Sequence, residues 1–145
     1  MSLERRPLFL DTAYVIARTN TRDQWHEQAM RWEGRLRRER RRLVTTEFIL
    51  LGIGDGLAGV RLRHSAVSII GLLRTDPDVE IAPASSALLT AAFAVFRARN
   101  DQGWGLTDCS SFVVMRELGL TAALTSDDHF RRAGFRAPLL EDVPV

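Results

Sequence analysis

The sequence predicts an α/β fold with a mostly parallel sheet. Short apolar or β-branched runs alternate with longer stretches of helical period. No two of those runs are joined by a two-residue hairpin turn. Four carboxylates, Asp11, Glu47, Asp108 and Asp127, each stand just past such a run. In an open parallel sheet the carboxyl ends of the strands face one crevice, so this placement suits acids that share a site.

The elements follow in chain order. Leu8 to Leu10 reads as a short buried strand, and Asp11-Thr12 opens a helix with Tyr14, Val15 and Ile16 on its apolar side. Asn20 to Asp23 is a turn. The next helix carries Trp25, Ala29, Trp32 and Leu36 at i, i+4, i+7 and i+11, an amphipathic stripe. Leu43 to Thr45 is a second strand, followed by an apolar, glycine-rich stretch from Glu47 to about Gly59. A helix over about Val60 to Leu73 is expected to bury Val67, Ile70 and Leu73. Asp76-Pro77-Asp78 turns the chain into a third strand, Val79 to Ile81. Ser85-Ser86 starts a helix expected to point Leu88, Leu89, Ala92, Phe93 and Phe96 inward. After the loop at Asn100 to Gly103, Thr107 is expected to cap a helix reaching about Leu118, with Phe112 and Met115 buried. Ala122 to Thr125 is a fourth strand, and Asp127 to Ala133 a short helix closed by Gly134. Phe135 to Leu140 is expected to add an edge strand.

At 145 residues the chain fits one domain, 1–145, with a real core. A single cysteine, Cys109, excludes an intramolecular disulfide and makes a reducing, cytoplasmic setting the default. The apolar run after Arg5 and Arg6 is too short for a signal peptide, and no stretch spans a bilayer, so no membrane role is expected. All 20 basic residues are arginine. That excludes lysine-dependent chemistry: response-regulator receivers, haloacid-dehalogenase-type phosphatases and Walker A nucleotide sites.

Four acids in one crevice repel each other and resist ionisation. A hard divalent cation removes the conflict, and oxygen ligands suit Mg²⁺ or Mn²⁺. The competing reading makes Asp11, Asp108 and Asp127 ordinary helix-start residues, favoured there by caps and the helix dipole. Glu47 is a poor cap and argues against it. Two cations about 3.5–4 Å apart, or one with a water, would serve phosphodiester hydrolysis.

Leu10-Asp11-Thr12, Thr46-Glu47, Leu106-Thr107-Asp108-Cys109 and Leu124-Thr125-Ser126-Asp127-Asp128-His129-Phe130 resemble the motifs of PIN-domain ribonucleases, in particular VapC-like toxins of type II toxin–antitoxin systems. The trailing Arg131-Arg132-Ala133-Gly134-Phe135 resembles that group too, and the likeness covers Leu8 to Leu140. It implies a three-layer α/β/α sandwich with a four- to five-stranded sheet and endonucleolytic cleavage of RNA. It makes Asp11, Glu47, Asp108 and Asp127 the catalytic Mg²⁺/Mn²⁺ quartet, with Thr12 positioning a water or ligand. Thr-x-Asp-x-x-Phe aligns Asp127; the adjacent Asp128 is the alternative fourth acid. A homodimer and a small antitoxin are the implied partners. The alternative function is a PIN-like module that binds RNA or protein without cutting.

The arginine run from Arg31 to Arg42 reads either as a solvated helix end or as a phosphate-tracking patch. With the family's fold, Arg38, Arg41 and Arg42 are expected near the crevice mouth as RNA contacts. Gly54-Asp55-Gly56-Leu57-Ala58-Gly59 matches a dinucleotide fingerprint, but no acid ends the following strand, so close helix packing or a helix bend is expected instead. Trp104 reads as a core or loop anchor ahead of a base-stacking platform, His129 as a partner of a helix start, and Cys109 as an inert buried thiol.

Overall fold

The computed structural model describes residues 6–141. Its elements are β1 (Leu8–Leu10), α1 (Thr12–Thr19), α2 (His26–Glu39), β2 (Leu43–Thr46), α3 (Glu47–Gly56), α4 (Arg63–Thr75), β3 (Val79–Ala82), α5 (Ser86–Ala98), α6 (Leu106–Glu117), β4 (Ala123–Leu124), α7 (His129–Arg132) and α8 (Pro138–Glu141). The four strands form one parallel sheet in the order β3-β2-β1-β4. All three residues of β1 are buried, as a parallel sheet covered on both faces requires.

Right-handed crossovers lay α1 to α4 on one face and α5 and α6 on the other. The two-residue period of β1 agrees. Phe9 points to one face, where its ring lies 6.2 Å from that of Phe130. Phe130 in turn meets Phe112 of α6 edge-on at 5.0 Å. Leu10 points to the other face and borders a groove with Tyr14 of α1, Leu36 of α2 and Leu73 of α4. The connections β1→β2→β3 step one way, and β3→β4 returns past β1. The strand order therefore reverses between β1 and β4, and their carboxyl ends flank the crevice where α/β folds bind ligands.

Several expectations are corrected. Helix α6 starts at Leu106, and the Gly105 amide donates to Asp108 Oδ2 at 3.1 Å, so Thr107 lies inside the first turn and does not cap it. Residues 135–140 form no edge strand. Arg136 makes one isolated parallel bridge to Ala122, and Pro138, which lacks an amide hydrogen, opens α8 instead. On α5, Ala92 is buried with Leu88 and Val95 packed against the core, while Leu89, Phe93 and Phe96 are exposed. The helix is apolar on two faces, so periodicity alone does not identify the inner one. On α4, Ile70 and Leu73 pack on the core but Val67 is exposed, because Ala66, Ile69, Ile70 and Leu73 form the inner stripe.

The glycine motif begins inside α3, so residues 48–53 are helical and no strand leads into a dinucleotide loop. The glycines of this helix serve packing. A Cβ on Gly52 would lie 2.7 Å from Thr12 Oγ1, and one on Gly56 the same distance from Ile16 Cδ1. Helix α3 thus approaches α1 closely, just behind Asp11. Trp104 is buried edge-on against Phe112, which leaves it no free face for a base. Among the described residues no helix is long and apolar enough to cross a membrane.

Candidate active site

Asp11 follows β1 directly, and its amide donates to Leu124 O at 3.1 Å, which pins it to the end of β4. Its carboxylate makes no helix-capping bond, although Asp11 occupies the N-cap position of α1. Instead Oδ2 accepts from the Thr125 hydroxyl at 2.8 Å, and the side chain is only 6% exposed. Burial, followed by repulsion from Asp108 and Asp127, outweighs the Thr125 hydrogen bond and pushes its pKa up to about 6.

Asp127 lies beyond β4. Its amide donates to Thr125 Oγ1 at 2.9 Å, and its Oδ1 accepts from the His129 amide at 2.9 Å. One threonine hydroxyl therefore serves both acids at the strand-order reversal. Asp108 enters from the first turn of α6, its carboxylate held by the Gly105 amide. Burial raises its pKa, and the hydrogen bonds from Gly105 and His129 oppose that. The helix-start reading is thus correct for the bonds that Asp108 and Asp127 make, but it leaves unexplained why three acids from distant segments repel one another at one place.

His129 completes the group. Its Nδ1 lies 2.9 Å from Asp108 Oδ2 and 3.2 Å from Asp127 Oδ1. Asp108, Asp127 and His129 each offer a ligand atom within 4.8 Å of the others. Neither His129 nor Thr125 stood out in the sequence as a site residue. The available signal was position: both lie within two residues of Asp127.

Glu47 opens α3 at the end of β2, one strand over from β1. Thr46, not Glu47, caps that helix, accepting from the Ile49 amide. Glu47 is exposed, and its Oε1 accepts from the Ala84 amide beyond β3 at 2.8 Å. It shares the carboxyl edge of the sheet with Asp11 and Asp127, but its carboxylate turns toward β3. Asp128 points elsewhere, paired with Arg131 and Arg132, which hold its carboxyl below the usual range. The cluster therefore contains Asp127 and not Asp128. Thr12 packs on Gly52, next to Asp11.

The arginine run is not at the crevice mouth. Arg42 O accepts from the Leu8 amide, so Arg38, Arg41 and Arg42 sit at the amino ends of β1 and β2, on the opposite edge from the acids. Arg41 is engaged there with Arg6 O and Glu39. In a parallel sheet, residues entering a strand and residues leaving it cannot share an edge. Cys109 is buried and its thiol pKa is raised by that burial, so it stays protonated.

No protein-family model matches the chain. It is similar to the 23S rRNA-specific endonuclease VapC20 of Mycobacterium tuberculosis, 27% identical over 128 residues, in the sequences of two strains. The match covers 88% of this chain and 95% of the relative. The crystal structure of VapC20, a sarcin–ricin loop cleaving toxin, superposes with a TM-score of 0.75 at 25% identity over the same shares of the two chains. With its strand order, its acids at the carboxyl edge and this likeness along nearly its whole length, the chain is similar to the VapC-like PIN-domain toxins in both sequence and fold.

Proposed function

We propose that the chain is a divalent-metal-dependent endoribonuclease and the toxin of a toxin–antitoxin pair. The convergence of Asp11, Asp108 and Asp127 where the strand order reverses carries this reading. The donor set fits a cation. Three carboxylates and an imidazole gather with no arginine paired to any of the three acids among the described residues. Burial, with repulsion from Asp108 and Asp127 added to it, raises the pKa of Asp11, a conflict that a bound cation would relieve. When bound, Mg²⁺ or Mn²⁺ supplies activation of water and neutralisation of phosphate charge.

The protein's own groups prepare that chemistry. Thr125 orients Asp11, Gly105 and the α6 start orient Asp108, and the α7 turn orients Asp127. Glu47 is assigned as the fourth acid, reached by a side-chain rotation away from Ala84. Thr12 and Asp128 flank the group, Thr12 beside Asp11 and Asp128 on the outer turn. RNA is the substrate class, with 23S rRNA, the target of VapC20, the first to test. A small antitoxin and a second copy of the chain are the proposed partners, and the cytoplasm the proposed setting. Arg38, Arg41 and Arg42 are assigned to RNA long enough to pass round the sheet to its far edge.

The deciding experiment maps cleavage of ribosomal and total RNA by purified protein with Mg²⁺ or Mn²⁺, with a chelator arm and Asp108→Asn alongside. Cleavage that needs metal and Asp108 is the expected result. Cleavage that survives complete chelation overturns the metal-dependent reading. Binding without any cleavage across the panel replaces the nuclease with the non-cleaving module.

A further inference from the structure

His129 does more than its place at a helix start requires. The turn into α7 is already closed without the imidazole, by the His129 amide on the Asp127 carboxylate oxygen Oδ1 and the Arg132 amide on Asp128 O. Phe130, the next residue, is fully buried against Phe9 and Phe112 and fixes the helix to the core. The imidazole is therefore held in place by its neighbours and is free to serve the crevice. It sits between two carboxylates that belong to different elements, 2.9 Å from Asp108 and 3.2 Å from Asp127. Ligand atoms on adjacent corners of an octahedron with bonds of about 2.1 Å lie roughly 3 Å apart. The nitrogen has that spacing to each of its two oxygen neighbours. The nearby guanidinium groups of Arg131 and Arg132 are committed to Asp128 and turn away from the cluster.

Building on the metal-dependent reading above, we infer that His129 is a nitrogen ligand of the site's cation and biases the site toward Mn²⁺ over Mg²⁺. An all-oxygen set suits Mg²⁺, whereas one imidazole in the set favours a first-row transition ion. The ring would ligate through Nδ1, the atom that faces both acids.

Pulsed electron paramagnetic resonance of Mn²⁺ bound to the purified full-length protein tests this, because it reads nitrogen coupling to the ion independently of RNA cleavage. The expected result is nitrogen modulation in the wild type and its loss in His129→Ala and His129→Gln. Calorimetry should show Mn²⁺ affinity falling at least roughly tenfold in both variants. Mg²⁺ affinity should fall clearly less. Bound Mn²⁺ without nitrogen coupling in the wild type overturns the inference alone, and so does an equal loss of Mn²⁺ and Mg²⁺ affinity in the variants. A wild type that binds neither ion overturns the metal-dependent reading as well. The wild-type signal decides the ligand even if a variant misfolds.

Discussion

Thr125 donates its hydroxyl hydrogen to Asp11 across 114 positions of sequence, Oγ1 to Oδ2 at 2.8 Å, with both residues buried. The same oxygen accepts from the Asp127 amide. Thr125→Val keeps the shape and removes both bonds. The unmet carboxylate and amide should cost about 1–3 kcal/mol of stability. RNA cleavage should fall in step, while Thr125→Ser retains most of both. Denaturant unfolding beside a cleavage assay checks this; a Val variant as stable and active as the wild type refutes the assignment.

The raised pKa of Asp11 makes metal-free stability depend on pH. The folded group holds its proton up to about pH 6, whereas the unfolded one loses it near 3.8. Between those values the folded state binds more protons, so stability falls as pH rises through the window and levels off above it. The shift from 3.8 to about 6 corresponds to about 3 kcal/mol at neutral pH. Asp11→Asn should recover much of that, flatten the pH profile and abolish cleavage. Urea unfolding in chelator, from about pH 4 to 8, measures it.

A divalent cation should reverse the same penalty. With ligand at about 100 times its dissociation constant, the folded state gains about 2.7 kcal/mol. The unfolding temperature should therefore rise with Mn²⁺ or Mg²⁺ and return with chelator, and the rise should be largely missing in Asp11→Asn and Asp108→Asn. Binding should also release protons near pH 6, because Asp11 must ionise. Calorimetry in buffers of different ionisation heat reads that release.

The position of the arginine run at the amino edge predicts a dependence on RNA length. Arg38→Ala with Arg42→Ala should leave cleavage of a short RNA hairpin unchanged. For long RNA it should lower the salt dependence of binding, by about 0.7 in the log–log slope for each single-strand phosphate no longer neutralised. A large loss on the short hairpin would place these arginines in the wrong part of the molecule.

Much of the fold is legible because buried parallel strands are continuous apolar runs and their neighbours are helices of clear period. Leu8 to Leu10 and Val79 to Ile81 fall inside the observed strands, and the segment before Asp127 holds β4. The acids were legible for the same reason, since each follows a strand or starts a helix. What escaped is what depends on partners. Phe93 and Phe96 carry the same apolar signal as Ala92, and only the position of α6 decides which side is covered. Thr125 and His129 look like ordinary polar residues until β4 is placed beside β1. The position of the arginines was legible in principle: strand polarity alone puts Arg42 and Glu47 at opposite ends of β2.

The order in which the chain is made adds one more constraint. Strand β4 is the last to be synthesised, yet it occupies the slot beside the first, β1. A nascent chain that has emerged only through α6 carries Asp11, Glu47 and Asp108 but lacks Thr125, Asp127 and His129. Such an intermediate has no completed crevice. A site built this way is completed only when β4 and α7 have left the exit tunnel and docked beside β1.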